Sequence, residues 1–403
     1  MKGKTMKQFS NFSIRLYTEI VFGKNTEERV AELIGKHGGK KVLFVYGSGS
    51  VKKSGLYERI VNSLNAGGVP FAELGGVQPN PLRSLVDRGY ELALKEKADF
   101  MLAAGGGSAI DTAKGIALAL ANDGDYWQFY NGTEAKKMAP VGVIHTIAAA
   151  GSETSRSSVL VDDATRQKKG FMWEPCRPVF AIMNPELTYT VSKYQTGAGA
   201  ADIFAHTLSR FFIVPDSTLG DEFAAGLLRT VVKFGPKAVR CPDDYEARAE
   251  LMLSGSFGHN DITGIGREGA RGGEHALESQ LSGFYDTAHG AGLAVLMPAW
   301  LQYITDHGNA AQVARVALFS TMVFGADPDF ADPKATANEG LERFRAWIKT
   351  LGMPLTLREL GIPEADFDSI IQRCMDANGG TVLSGYMPLD RQAVVEIFKS
   401  VIE

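Results

Sequence analysis

Three consecutive glycines between an apolar strand and an apolar helix constrain this fold more than any other feature. Residues 105–114 read GGGSAIDTAK and follow the apolar run 100–104. Glycine lets the backbone approach a phosphate closely, and a helix that begins there directs free N–H groups and its positive dipole end toward the same anion. A tight turn alone also uses glycine. The added Ser108, Asp111 and Lys114 favour a nucleotide pyrophosphate site.

Strands and helices alternate through the first half of the chain, which predicts a parallel sheet covered by helices on both faces. Strands are predicted at 41–46, 70–74, 100–104, 141–147 and 179–183. Ligands of such sheets bind beyond the carboxyl ends of the strands. Glycine–serine turns at 47–50 and 105–108 follow two of these strands, so we expect both turns to share one ligand.

After about residue 190 the pattern changes to long helices, and strand signals nearly vanish. Helices are predicted at 200–212, 220–234, 245–257, 289–304, 309–324 and 338–351. We therefore predict two domains, an α/β domain over residues 1–190 and an all-helical domain over 191–403, with a ligand cleft between them.

The composition narrows the class of protein. Its 45% hydrophobic and 22% charged residues are typical of a soluble globular chain. A net charge of −4 without a dense run of Lys or Arg argues against nucleic acid and membrane partners. We expect neither a signal peptide nor a membrane span. Three widely spaced cysteines fit a reducing environment, so we expect a cytoplasmic enzyme.

Four polar residues of the second half form a candidate metal site. Asp202 and His206 are four residues apart in a predicted apolar helix, so they share one face and need a buried partner. His275 and His289 lie fourteen residues apart in the same domain. One carboxylate with three imidazoles favours Fe²⁺ or Zn²⁺ over Mg²⁺ or Ca²⁺. A surface hydrogen bond is the alternative for the first pair, and His259 is left outside the predicted set.

Several motifs together resemble the iron-containing (group III) alcohol dehydrogenases, in their butanol dehydrogenase-like branch. They are YGSGSVKKSG at 46–55, GGGSAIDTAK at 105–114, TIAAAGSE at 146–153, NPELT at 184–188, the Asp202/His206 pair, and His275 with His289-Gly290. The resemblance implies a dehydroquinate synthase-like fold, with an N-terminal Rossmann-like domain and a C-terminal helical domain. It also implies a homodimer, a nicotinamide cofactor, and one divalent metal held by Asp202, His206, His275 and His289.

The resemblance further implies roles toward the cofactor. The implied cofactor-binding residues are Gly47, Ser48, Gly49, Ser50, Gly105, Gly106, Gly107, Ser108, Asp111, Thr146, Ser152 and Lys168. An acidic residue after the first sheet strand would favour the free ribose hydroxyl of NAD(H). This chain instead has serines there, followed by Lys52 and Lys53, which favour the 2′-phosphate of NADP(H). Lysines that are merely solvated would leave NAD(H) open.

Two departures from the family bear on catalysis and substrate. The family commonly has a second histidine four residues after the third ligand, where this chain has Ser279; serine has no useful pKa of its own but could pass a proton through water. Arg267 and Arg271 precede His275, and Arg156 follows the GSE segment. These arginines suggest a grip on an anionic substrate group, and pairing with nearby glutamates on a solvated face is an equal alternative.

We therefore expect a metal-dependent, NAD(P)H-linked alcohol dehydrogenase or aldehyde reductase. Its substrate would be a small aldehyde or primary alcohol, with sulfoacetaldehyde and succinic semialdehyde as charged examples. Asp111, Lys168 and Ser279 are the predicted catalytic residues. A metal-dependent lyase of the dehydroquinate synthase kind and a non-catalytic nucleotide binder are the alternatives.

Overall fold

The computed structural model describes residues 11–47, 49–214, 216–267, 273–377 and 380–403. The chain divides into two compact units. The first contains Leu16–Ser192 and Cys241–Ser256, and the second contains Lys193–Arg240 and Phe257–Glu403. The segment Cys241–Ser256 therefore groups with the first unit although it lies well beyond residue 190.

The described residues form strands and helices that are named in chain order. The strands are β1 (Glu19–Phe22), β2 (Val42–Gly47), β3 (Phe71–Val77), β4 (Phe100–Gly105), β5 (Val141–His145), β6 (Ser157–Val161), β7 (Lys168–Met172), β8 (Phe180–Met183), β9 (Val382–Leu383) and β10 (Leu389–Asp390). The helices are α1 (Val30–Lys36), α2 (Ser50–Lys53), α3 (Leu56–Ala66), α4 (Arg83–Glu96), α5 (Gly107–Ala121), α6 (Lys193–Phe211), α7 (Thr218–Arg240), α8 (Tyr245–His259), α9 (Glu274–Tyr285), α10 (His289–His307), α11 (Ala310–Phe324), α12 (Pro333–Thr350), α13 (Phe367–Ala377) and α14 (Arg391–Lys399).

A six-stranded sheet in the order β1-β8-β5-β4-β2-β3 is the centre of the first unit, and its paired strands run parallel. The strand β4 lies between β5 and β2, and all its residues are buried. This burial on both faces explains its continuous apolar sequence. Because β2 pairs with β4 in register, with Tyr46 opposite Ala104, the turns that follow these two strands begin side by side.

Apolar side chains cover both faces of this sheet. Leu43 and Met101 belong to a buried cluster with residues of α4 and α5. The next residues along the same strands, Phe44 and Leu102, belong to a second cluster with residues of α1 and α3. Successive side chains of a strand point to opposite faces, so these alternating memberships show helices packed on both sides. The predicted α/β fold class is confirmed.

The second unit is built mainly from helices around α6, which packs against α7 and α10. Close approach of α10 to α6 depends on Gly290, because a Cβ at this position would collide with the carbonyl of Ala198. Larger residues cannot occupy such a crossing without moving a helix. The crossing positions His289, the residue before Gly290, against α6. Among the described residues, no helix is both long and apolar enough to cross a membrane.

Several elements were not predicted. They include the edge strand β1, the antiparallel pair β6–β7, the two-residue strands β9 and β10, and the helices α1, α2 and α9. The helix α9 was not predicted because three of its buried positions, where a helix usually has apolar residues, hold Glu274, Glu278 and Ser282. Buried polar residues remove the apolar period from which a helix is recognised in sequence.

Candidate functional site

The triple glycine joins β4 to α5 in the first unit. Gly105 has a φ of +155°, and a Cβ on Gly106 would collide with Ile147, so both positions exclude larger residues. Gly107 begins α5, and a Cβ there would meet no heavy atom of the described residues within 4 Å. The first N–H groups of a helix have no acceptor within that helix. Open space at the start of α5 therefore fits a nucleotide phosphate.

The other predicted turn lies beside it. The strand β2 ends at Gly47, Gly49 precedes α2, and Ser50 begins that helix. Thr146 follows β5, and its N–H donates to the carbonyl of the first glycine of the triple at 3.1 Å. Ser48 lies outside the described residues. Three turns at the carboxyl ends of parallel strands thus adjoin one another, which is where such sheets bind ligands.

The two lysines after the first turn have different surroundings. The ammonium of Lys52 lies 5.3 Å from the ring centre of Tyr46 and 4.8 Å from that of Tyr57. Both tyrosine hydroxyls donate to Glu73 at 2.7 Å. Burial and the bond to Glu73 raise the pKa of Tyr46 to about 12. Lys53 is exposed and lies beside the second glycine of the turn, with its Cε 3.9 Å from a Cβ built there.

A buried lysine holds the segment after β5. The ammonium of Lys114 donates to the carbonyls of Ser152, Ser155 and Ser157 at 2.8, 3.0 and 2.7 Å. It also contacts the Ser152 hydroxyl at 3.1 Å. Burial lowers the pKa of this amine to about 8. Its several acceptors make Lys114 a structural anchor of the GSE segment, a role that we did not predict.

Asp111 is buried beside the same segment and bonds to it. One carboxylate oxygen accepts from the Ser152 hydroxyl at 2.6 Å, and the other from the Val159 N–H at 3.0 Å. Burial raises the pKa of Asp111, while the charges of Lys114 and Lys168 oppose this shift. The carboxylate of Asp111 and the hydroxyl of Ser152 therefore bond each other inside this unit. Their predicted roles toward the cofactor, and the predicted catalytic role of Asp111, stay predictions.

Two further predicted residues of the first unit lie near this region. Lys168 begins β7 and is half-buried. Arg156 is partly exposed and pairs with Glu174 at 3.8 Å. The cofactor role of Lys168 and the substrate role of Arg156 stay predictions.

Side chains from three helices converge in the second unit. Donor atoms of Asp202 on α6, His275 on α9 and His289 on α10 lie within 4.8 Å of one another. His206 lies next to this group, with its Nε2 3.4 Å from Asp202 Oδ1 and its ring centre 4.6 Å from that of His275. Three of the four predicted ligands therefore meet. Ligation by His206 stays a prediction.

The residues present fit a divalent cation. Asp202, Glu274 and Glu278 are three buried carboxylates around the imidazoles, and buried negative charge requires a compensating cation. The Nε2 atom of His275 is buried and has no hydrogen-bond partner among the described residues. A nitrogen and oxygen donor set of this kind suits Fe²⁺ or Zn²⁺.

Two glutamates of α9 orient the histidine ligands. Glu274 Oε1 lies 3.0 Å from Nδ1 of His275, and Glu278 Oε2 contacts Nδ1 of His289. The Ser282 hydroxyl donates to Glu278 at 3.3 Å. Metal-bound histidines commonly hold their second nitrogen in this way. The sequence analysis missed both glutamates, although their spacing of four residues beside His275 was a usable signal.

A fourth imidazole also lies in this region. The rings of His206 and His259 are stacked, with centres 4.0 Å apart and planes 20° from parallel. Burial, and then the electrostatic influence of the neighbouring imidazoles of His259 and His275, hold the pKa of His206 well below its usual range. Its imidazole is therefore neutral at neutral pH, which is the form that binds metal. Ser279, on α9, donates to the Ala276 carbonyl at 3.5 Å, and its predicted proton-relay role stays a prediction.

Arg267 is not a substrate residue. Its side chain is fully buried. The guanidinium donates to the carbonyls of Arg210 and Ser217 at 2.7 and 3.0 Å and to the carboxylate of Asp221. Both predictions for Arg267, a grip on substrate and pairing on a solvated face, are therefore wrong. Arg271 lies outside the described residues.

A second arginine completes this buried network at the end of α6. Arg315 donates to Asp221 and to the carbonyl of Phe211. Carbonyls at a helix C-terminus have no partner within the helix. The guanidinium groups of Arg267 and Arg315 bond the carbonyls of Arg210 and Phe211, so the network caps the helix that carries Asp202.

One unit has a glycine turn that fits a nucleotide phosphate, and the other has a side-chain cluster that fits a divalent metal. A metal-dependent dehydrogenase needs both features. The profile of the iron-containing alcohol dehydrogenases matches residues 18–185. The profile of the C-terminal domain of the Fe-containing alcohol dehydrogenase family matches residues 196–402. This chain belongs to the iron-containing alcohol dehydrogenase family, which confirms the resemblance.

Individual members of this family are similar to the chain over nearly its whole length. The chain is 36% identical to the NADH-dependent butanol dehydrogenase A of Clostridium acetobutylicum, over 96% of this chain and 99% of that one. It is 30% identical to the NADPH-dependent aldehyde reductase YqhD of Escherichia coli, over 93% and 95%. The crystal structure of an NADH-dependent butanol dehydrogenase A from Thermotoga maritima is similar, with a TM-score of 0.92, 36% identity, and 98% and 100% coverage. The chain is thus an alcohol dehydrogenase or aldehyde reductase with NAD(P) as cofactor. These similarities favour a dehydrogenase over a lyase or a non-catalytic nucleotide binder.

Proposed function

We propose that this chain is a metal-dependent, NADPH-linked reductase of small aldehydes that also oxidises the corresponding primary alcohols. The observation that carries the proposal is the convergence of Asp202, His275 and His289 within the helical unit. Family membership supports the reaction type. The decisive assay follows consumption of the reduced nicotinamide with a panel of aldehydes, using apo-protein reloaded anaerobically with one metal at a time.

Each unit contributes its own part of the chemistry. When bound, the metal and the nicotinamide would supply a Lewis acid for the carbonyl oxygen and a hydride donor for its carbon. Gly107 leaves the start of α5 open, where the diphosphate would bind, and Gly106 packs against Ile147. Asp202, His275 and His289 would hold the metal, and buried Glu274 and Glu278 hold the two imidazoles in place.

We propose Fe²⁺ or Zn²⁺ as the metal, because both accept the same nitrogen and oxygen ligands. The test reloads apo-protein with Fe²⁺, Zn²⁺ or Mg²⁺ and measures turnover of an aldehyde. Activity with Fe²⁺ or Zn²⁺ and none with Mg²⁺ is the expected result. Full activity of the metal-free protein would contradict the proposal.

We propose a preference for NADP(H) over NAD(H). No acidic residue follows β2 directly, and the exposed Lys53 lies beside this turn. The relatives differ in cofactor, since one is an NADH-dependent and another an NADPH-dependent enzyme.

The variant Lys53→Ala tests this preference. Loss of one charge-assisted contact to a phosphate should raise the KM for NADPH about fivefold and leave the KM for NADH unchanged. Lys52→Ala serves as the comparison, since Lys52 is engaged over two tyrosine rings. A lower KM for NADH than for NADPH in the wild-type enzyme would contradict the proposal.

We propose a short uncharged aldehyde as the substrate. Of the two described arginines offered for an anionic group, Arg267 is buried against Asp221, and Arg156 has a carboxylate, that of Glu174, at 3.8 Å. Similarity to butanol dehydrogenases supports a substrate such as butanal. The measurement compares kcat/KM for butanal with that for succinic semialdehyde. A preference for succinic semialdehyde that disappears in Arg271→Ala would restore the anionic substrate.

We propose that the chain forms a homodimer, which rests on the family resemblance. Light scattering on the purified protein tests this proposal, and a monomer at micromolar concentration would contradict it.

A further inference from the structure

Glu274 is the first residue of α9, and the role argued for it below rests on the metal site of the proposed function. Glu274 is fully buried. Its Oε1 atom lies 3.0 Å from Nδ1 of His275 and accepts a hydrogen bond from the hydroxyl of Ser209. The same hydroxyl lies 3.1 Å from Nδ1 of His275. Three polar groups thus share a small volume on the side of the imidazole away from its Nε2.

The geometry determines which nitrogen of His275 carries the proton. A carboxylate only accepts hydrogen bonds, and the Ser209 hydroxyl donates its hydrogen to Glu274. Both oxygens facing Nδ1 therefore act as acceptors, so Nδ1 carries the hydrogen. The lone pair of the neutral ring is then on Nε2, which is buried without a hydrogen-bond partner among the described residues. The lone pair of Nε2 is therefore available to a metal ion.

Ser209 connects this arrangement to the other ligand helix. It lies on α6 three residues after His206, whereas Glu274 and His275 lie on α9. The hydrogen bond from Ser209 to Glu274 therefore ties the two ligand-bearing helices together beside the metal donors. The second oxygen of Glu274 is also buried and has no hydrogen-bond partner among the described residues. A buried carboxylate in this state is costly unless a nearby positive charge compensates it.

We propose that Glu274, held by Ser209, is a positioning residue for the metal: it fixes His275 as an Nε2 donor and places a negative charge behind the ring. The charge makes the imidazole a stronger donor, and the hydrogen bond prevents the ring from turning. Outer partners of this kind contribute about 10- to 100-fold to metal affinity. Glu278 has the same relation to His289.

The experiment measures metal affinity of the whole apo-protein without any assay of turnover. Co²⁺ and Zn²⁺ are titrated into wild type, Glu274→Ala, Glu274→Gln and Ser209→Ala, with a chromophoric chelator as competitor. Glu274→Ala should weaken binding about 10- to 100-fold. Glu274→Gln keeps an acceptor for Nδ1 and removes the charge, so its loss should be smaller. Ser209→Ala should weaken binding about three- to tenfold. Glu342→Gln, at an exposed position of α12, is the matched control.

Two readouts separate this role from a merely structural one. The absorption bands of bound Co²⁺ should shift in both Glu274 variants, because the donor strength of His275 changes. The thermal midpoint of apo Glu274→Gln should equal or exceed that of wild type, since a buried charge without its metal is removed. Unchanged Co²⁺ affinity and bands in Glu274→Gln would overturn the inference even if Glu274→Ala fails to fold. A wild-type protein that binds neither metal would refute the metal site itself, which is a different result.

Discussion

The two candidate sites of this molecule are built in opposite ways. In the first unit, the nucleotide turn consists of backbone from a few consecutive residues, and Gly106 and Gly107 contribute by lacking side chains. In the second unit, the candidate metal cluster consists of side chains from α6 and from the consecutive helices α9 and α10, which lie far from α6 in sequence. A site of the first kind depends on local sterics. A site of the second kind depends on the packing of a whole helical unit.

The supporting residues differ in the same way. Lys114 holds the segment beside the nucleotide turn through carbonyl groups and one serine hydroxyl. The metal ligands are instead held by charged side chains, with Glu274 and Glu278 behind the imidazoles. We therefore expect substitutions in the first unit to change stability or cofactor binding, and substitutions in the second to change metal binding and turnover.

Asp202→Ala should have the largest effect on activity. It removes the only carboxylate among the three converging donors, and Lewis-acid stabilisation is worth several kcal/mol, so kcat/KM should fall by about 10³-fold or more. Binding of the nucleotide, measured by fluorescence, should stay unchanged because that site lies in the other unit. Asp368→Ala, at an exposed position, is the control. Weaker nucleotide binding in Asp202→Ala would show that the nucleotide and the metal do not bind independently.

Lys114→Met should have the next largest effect, now on stability. It removes one of the two positive charges near the buried Asp111 and leaves several carbonyls without a donor. Loss of one member of a buried charged pair costs about 3–5 kcal/mol in the free energy of unfolding. Denaturant titration measures this loss, with exposed Lys95→Met as the control. The Co²⁺ affinity of the folded variant should equal that of wild type. A variant of wild-type stability would show that Lys114 is not the anchor inferred here.

Gly106→Ala and Gly107→Ala form a matched pair with smaller effects. A Cβ on Gly106 would collide with Ile147, so this variant should lose about 1–3 kcal/mol of stability through overpacking. A Cβ on Gly107 enters open space, so this variant should keep most of its stability. Its KM for the cofactor should nevertheless rise about tenfold, because the phosphate can no longer approach the backbone. Equal cofactor affinity of Gly107→Ala and wild type would place the diphosphate elsewhere.

The interior of each unit shows where inference from sequence succeeded. The apolar strands before both glycine turns were predicted because burial on two faces leaves a continuous apolar run. The pair Asp202 and His206 was recognised because two polar residues interrupt an apolar helix. His275 and His289 were selected by residue type and by resemblance, and their donor atoms do meet that of Asp202.

The partners of charged residues were not predictable from the sequence. Arg267 was offered to a substrate, although Asp221 and two backbone carbonyls hold it in the interior. The motif around Asp111 likewise did not predict that Ser152 and Val159 bond its two oxygens. A charged residue beside a motif has the same one-letter code whether it faces a ligand or a buried partner.

The amino-acid order alone determined the features with a local physical signature in this protein. These are the parallel sheet, whose strands are apolar runs, and the glycine turn after β4, which has no side chain to exclude an anion. Tertiary structure decided which charged groups become partners, because α9 brings Glu274 and Glu278 behind the histidines only after the helices pack. Electrostatic pairing depends on distance in space and on burial, and neither is written in the spacing of residues along a chain.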